Sequence, residues 1–207
     1  MLIKCLPVGN LEANCYVVAD EETLDCAVID PGDESNVILD YVESQNFHVK
    51  AVFLTHGHFD HWGAANTVAE ETGAPVWVHK LDCAGEGKTG LFVYPPDPAV
   101  TVRHYKNGDI LKVGGLFFGV LETPGHSPGS VCLLCEDSLF SGDVLFRGTV
   151  GRTDLPGGDT QTLLATLRRL AELPDNYDVY PGHMEATTLD RERHTNGWML
   201  AALGRDA

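Results

Sequence analysis

The stretch "THGHFDHWG", Thr55–Gly63, places His56, His58, Asp60 and His61 within six residues. Imidazole nitrogens and carboxylate oxygens are the common protein ligands for zinc and its neighbours, so the loop predicts a metal site. His56 and His58 are two apart in an extended segment, which lets both rings reach one ion. Asp60 and His61 lie past a turn and aim further on. The preceding run "KAVFL" is apolar on both faces and reads as a buried strand. The loop is therefore expected at the C-terminal mouth of a strand, where open α/β sheets place their ligands. The following "WGAANTVAEETG" reads as a helix closed by Gly73, with Asp60 and His61 near its N-terminus.

Outward from this loop, "LIKCL", "NCYVVAD" and "DCAVID" read as a β-meander, with the polar turn "EETL" joining the last two. Ser35 is a candidate N-cap for a helix with Val37, Ile38, Tyr41 and Val42 on its apolar face. A strand at "PVWVH" and a helix at "KLDCAG" come next, and residues 85–100, with "YPPDP", read as a long irregular loop. Short strands then dominate: "TVRHY", "DILKV", "LFFGVLE", "SVCLLC" and "SLFSGD". Asp159 caps a helix carrying Leu163, Leu164, Leu167 and Leu170, a strand "YDVY" leads to "PGH", and a polar helix begins near Leu189. Strands, helix, strands and helix in this order predict an α/β layered fold, with sheets packed together and helices outside.

The chain has 207 residues, 43 % of them hydrophobic and 21 % charged, which suits one globular domain over 1–207. The N-terminus lacks the apolar stretch of a secretory signal and no window reaches the roughly 18 apolar residues of a membrane span, so a cytoplasmic protein is expected. All six cysteines except Cys83 fall in stretches read as buried strand, where reduced core thiols are the default. In "CLLC" Cys132 and Cys135 point to opposite faces of a strand and share no metal. A net charge of −16 repels nucleic acid, and no run of Lys or Arg offsets it.

Four ligands in one loop serve two metals only if later segments complete each shell. Three other strand ends supply them: "TPGHSPGS" brings His126, "FSGD" brings Asp143 and "YPGH" brings His183, each beside a glycine that allows close backbone approach. With these residues, from about Asn14 to His183, the chain resembles the metallo-β-lactamase-fold hydrolases. The resemblance implies an αββα sandwich with a dinuclear site along the edge between two sheets. It assigns His56, His58 and His126 to one metal, Asp60, His61 and His183 to the other, and Asp143 to a bridge. Two cations about 3.5 to 4 Å apart repel, so a shared carboxylate and a hydroxide belong between them. Coordination lowers the pKa of water towards neutrality, which supplies the nucleophile, and Asp60 can also orient it. Zinc is the first expectation for both ions, and iron or manganese fits the same N/O shell.

Within that family "FSGDVLFRGTVGRTDLPGGD" is most similar to short forms of glyoxalase II. The resemblance implies hydrolysis of hydroxyacyl thioesters such as S-lactoylglutathione. "GRTD" also resembles the persulfide dioxygenases, which hold one iron on two histidines and an aspartate. Long glyoxalases II hold glutathione with basic residues of a C-terminal helical segment, and here only residues 184–207 follow His183. Arg152 and Asp154 are expected as a buried pair fixing their loop. Arg147 and Lys88 are expected as solvated surface charges. His48, His79, His104 and His194 are assigned structural or surface roles, and Phe59 and Tyr180 packing roles. A small thioester is the expected partner, with no nucleic acid and no membrane.

Overall fold

Period-two alternation sends successive strand residues to opposite faces, and here both faces are apolar. In the strand Asp25–Ile29, Cys26 and Val28 join one core cluster while Ala27 and Ile29 join another. Each sheet is therefore covered on both sides. The computed structural model describes residues 1–85 and 90–205.

The first sheet comprises β1 (Leu2–Val8), β2 (Ala13–Ala19), β3 (Asp25–Ile29), β4 (His48–Phe53), β5 (Val76–Val78) and β6 (Val102–His104), ordered as in the chain. β1–β2–β3 is the expected antiparallel meander, and β3 to β6 pair in parallel. The second sheet runs β12–β11–β10–β9–β8–β7, from β7 (Ile110–Val113), β8 (Leu116–Glu122), β9 (Val131–Cys135) and β10 (Ser138–Gly142) to β11 (Asp178–Pro181) and β12 (Thr187–Thr188). Only β10 and β11 pair in parallel there.

Tyr16, Ile29 and Phe53 of the first sheet meet Phe118, Leu133 and Phe140 of the second in a shared core. Outside the first sheet lie α1 (Ser35–Ser44) and α3 (Ala65–Thr72), which contribute Ile38, Val42, Val68 and Ala69 to its outer core. Outside the second lie α4 (Thr160–Ala171), α5 (Leu189–Thr195) and α6 (Gly197–Ala202), with Leu163, Leu167, Leu170 and Met199 in its outer core. This is the αββα sandwich. Among the described residues no helix is long and apolar enough to cross a membrane.

Asp159 caps α4 by accepting from Thr162 N, as expected. Other expectations need correction. Ser35 is the first helical residue of α1, and the N-cap is Glu34 in a left-handed conformation, whose carboxylate instead accepts from Gly9 N. The helix after the histidine loop is split: α2 (Phe59–Trp62) is one turn holding Asp60 and His61, and α3 starts afresh at Ala65. "KLDCAG" forms only a 3₁₀ turn, Lys80–Asp82. The C-terminal polar helix breaks at Asn196. Cys5 is exposed because β1 is an edge strand, whereas Cys132 and Cys135 do face different cores.

Candidate metal centre

β3 and β4 run in parallel with Ile29 opposite Phe53, so Asp30 and Thr55 leave the sheet side by side. Across the sandwich the β8–β9 connection carries His126, and the ends of the parallel pair β10 and β11 carry Asp143 and His183. Gly142 has φ 48°, a conformation that favours glycine, and a Cβ there would strike the Thr55 hydroxyl. A Cβ on Gly182 would strike the Asp143 carboxylate and the His61 ring. These two glycines let the second sheet close onto the histidine loop.

All seven sequence-predicted site residues meet at this edge. Ligand atoms of His56, His58 and His126 lie within 4.8 Å of one another, as do those of Asp60, His61 and His183. Each triplet draws residues from both sheets. Asp143 lies between them: its Oδ1 is 3.4 Å from His61 Nε2, and its Oδ2 is 3.5 Å from His126 Nε2 and 3.7 Å from His183 Nε2.

Three of the ring tautomers are set from outside the ligand cluster, while His58 Nδ1 meets His126 Nε2 within it at 2.8 Å. His126 Nδ1 donates to the Arg152 carbonyl at 2.7 Å, and His61 Nδ1 to Asp30 Oδ2 at 3.0 Å. His56 Nδ1 is 3.0 Å from Thr55 Oγ1. His56 Nε2, His61 Nε2 and Asp143 Oδ1 are then buried with no hydrogen-bond partner. Buried polar atoms in that state are costly unless a cation takes their place as partner, so the donor set fits a metal. Asp30, His56 and His61 also lie close enough to form a third triplet. The Asp30 oxygens already accept from Thr55 N, Thr55 Oγ1 and His61 Nδ1, which makes Asp30 an orienting group.

Electrostatics divide the two halves. Burial, with the neighbouring imidazoles, holds His56 well below the usual histidine range and His58 down at about 4, so both rings are neutral donors. Burial also opposes charge on His61, but Asp143, Asp30 and Asp60 outweigh it and push that ring up to about 9. At His183 the opposing pull of burial is overcome by the hydrogen bond to Asp60 and the charge of Asp143, and its pKa rises. Burial opposes ionisation of Asp60, yet its bond to His183 and the charge of His61 bring it down to about 2. The second half is therefore the more attractive to positive charge.

The centre opens into a cavity of about 550 Å³ walled by Phe59, Phe92, Phe146 and Leu155, with Arg152 at its rim. Phe59 is thus a half-exposed cleft residue and not the packing residue expected; Tyr180 does pack, stacked on Phe140. Arg152 and Asp154 form a bidentate pair at 2.7 Å, but with side chains 62 % and 68 % exposed the pair is not buried. The turn places it at the protein surface, where water solvates both charges. Arg147 is exposed and paired with Glu185. Lys88 lies outside the described residues. His79 caps the 3₁₀ turn and pairs with Glu122, while among the described residues His48, His104 and His194 take part in no ligand triplet.

Sequence reasoning missed two carboxylates. Asp30 is one, and its place directly after an apolar strand and before Pro-Gly was a usable signal. Asp82 is the other: 1 % exposed, it accepts from Gly57 N at 3.0 Å, Ser127 Oγ at 2.5 Å and Gly129 N at 2.8 Å. It ties the loop of His56 and His58 to the loop of His126.

The family model described as metallo-beta-lactamase superfamily matches residues 8–183. A protein of Aquifex aeolicus is 41 % identical, covering 95 % of this chain and 96 % of its own. Hydroxyacylglutathione hydrolase GloC of Haemophilus influenzae is 32 % identical over 96 % and 98 %, and the probable metallo-hydrolase YqgX of Bacillus subtilis 36 % over 94 % and 95 %. Among solved structures, the BLEG-1 B3 metallo-beta-lactamase superposes with TM-score 0.84 at 34 % identity, covering 96 % of this chain and 99 % of that one. ETHE1 from Myxococcus xanthus gives 0.81 at 31 %, over 95 % and 83 %. A di-iron-bound form of TTHA1623 gives 0.78 at 39 %, over 93 % and 98 %.

Proposed function

The chain belongs to the metallo-beta-lactamase superfamily, and from this premise we propose that it is a hydrolase cleaving small hydroxyacyl thioesters, S-lactoylglutathione among them. The observation that carries the reading is the pair of ligand triplets around Asp143 at the floor of an apolar-walled cleft. The named activity of the Haemophilus relative, similar over nearly its whole length, supports the thioester class. Two divalent cations held by these residues would lower the pKa of water and polarise a carbonyl oxygen. Zinc suits the shell, and iron or manganese does too, since no cysteine belongs to either triplet.

The chain's own side chains do the rest. Asp60, ionised and 3.3 Å from His183 Nε2, accepts a hydrogen bond from a water in the cleft and orients it towards the acyl carbon. Phe59, Phe92, Phe146 and Leu155 exclude bulk water around the acyl group. Asp154 pairs with Arg152 at the rim, so a carrier's carboxylates meet little unpaired positive charge. The net charge of −16 keeps nucleic acids from competing.

The test measures thiol release from S-lactoylglutathione and from simpler hydroxyacyl thioesters, with zinc, iron and manganese loaded separately. Release is expected from both substrate types, with the simpler carriers keeping much of the rate. No thiol release with any metal would refute the proposal. Oxygen uptake on a persulfide by the iron form, without thiol release, would establish the dioxygenase reading in its place.

A further inference from the structure

Phe146–Thr149 is a four-residue turn forming part of the cleft wall, and the Phe146 ring stands edge-on to His183 at 6.0 Å. Its ends pair through Phe146 N to Thr149 O at 3.0 Å and Thr149 N to Phe146 O at 3.4 Å. So short a turn has little surface of its own to hold it in place. Two side chains from the C-terminal helices hold it instead. Gly148 N donates to Glu192 Oε2 at 2.7 Å, and Asn196 Nδ2 donates to Thr149 O at 3.0 Å and to Phe146 O at 3.4 Å.

Both side chains are fully buried. The Asn196 amide has one workable orientation, because Phe146 O, Thr149 O and Glu192 Oε2 are all acceptors and its own Oδ1 accepts from Trp198 N. Thr187 Oγ1 and Arg191 Nη1 occupy the other Glu192 oxygen. A carboxylate sunk this deep carries a desolvation cost that packing α5 alone does not require. We propose that Glu192 and Asn196 are positioning residues that set Phe146 against His183 and so fix the width of the substrate cleft.

The kinetic part of the test rests on the thioester reading, and the exchange part does not. Asn196→Ser keeps an oxygen for Trp198 N–H and removes the donor to the turn. Backbone amides of 146–149 should exchange with deuterium roughly tenfold faster, while α4 and both sheets stay unchanged. KM for a thioester should rise several-fold with kcat and metal content near wild type. Arg193→Ala is the comparison: it loses bonds to Ala171 O and Leu173 O without touching the turn, and should lower Tm alone. Unchanged exchange at 146–149 in Asn196→Ser, or an equal KM shift in Arg193→Ala, overturns the proposal. If the wild-type protein releases no thiol, the functional reading fails and the exchange result alone decides this one.

Discussion

Asp82→Ala should destabilise the metal-free protein by about 1–4 kcal/mol, and the structure shows how that figure arises. The carboxylate accepts from three donors, Gly57 N, Ser127 Oγ and Gly129 N. Ser127 Oγ has a second partner 2.6 Å away in Ser130 Oγ and can turn to it. Two backbone N–H groups are then left buried and unpaired, at roughly 1–3 kcal/mol each. Against this, removing the charge recovers part of the cost of burial, which outweighs the donors and raises the Asp82 pKa. A raised folded pKa means that stability from this group is present at low pH and lost as pH rises, so the charged form at neutral pH is itself a cost. Asp82→Asn, which keeps one carbonyl for Gly129, should therefore lose less than Asp82→Ala. For a chain of this length each kcal/mol lowers Tm by about 2–4 °C, giving a fall of roughly 2–16 °C for the alanine variant. Thermal unfolding in the presence of chelator, followed by circular dichroism at pH 7, measures it. A Tm within about 1 °C of wild type would refute the account of Asp82 as the tie between the two loops.

Asp143→Asn should weaken both metals, because an amide is a poor bridge between cations, whereas His183→Ala should retain about one ion per chain; elemental analysis after loading distinguishes them. Asp30→Asn puts an N–H where His61 Nδ1 finds an acceptor, which moves the ring proton to Nε2. The second metal should bind roughly 10–100-fold more weakly in a competitive chelator titration, with the first spared. At Glu192 burial opposes ionisation, but bonds from Thr187, Gly148, Asn196 and Arg191 prevail and lower its pKa. Its contribution is present above the ordinary glutamate range and lost as pH falls through the folded value, so Glu192→Gln should show a flatter loss of stability below about pH 4.3 in urea unfolding.

The histidine loop, the three later strand ends and the two-faced strands were legible because their signals are local: ligand spacing in one, period-two apolarity in the other. Asp82 was not, since its partners are 25 to 47 residues away in sequence and it looks like ordinary turn chemistry; at Asp30 the end of an apolar strand marked the position but not the partners, 25 and 31 residues away. Glu192 illustrates the same limit more sharply. It sits in a run of charges, "DRERH", that reads as a solvated helix face, yet it is fully buried because the turn it holds arrives from 44 residues upstream. Ser35 and the Arg152–Asp154 pair failed for the opposite reason. Their residue types matched a local pattern, and the tertiary course of the chain put a left-handed Glu34 before one and open water around the other.

Because each triplet takes ligands from both sheets, an ion in either one acts as a cross-link between the halves of the sandwich. Metal that binds only the docked arrangement adds to the free energy of docking by mass action, about 4 kcal/mol when free metal is a thousand times the dissociation constant. The protein's resistance to heat and proteolysis then becomes a function of the free metal concentration around it. Starvation for the ion would lower the stability of the two-sheet sandwich as a whole, since both sheets share the core between them.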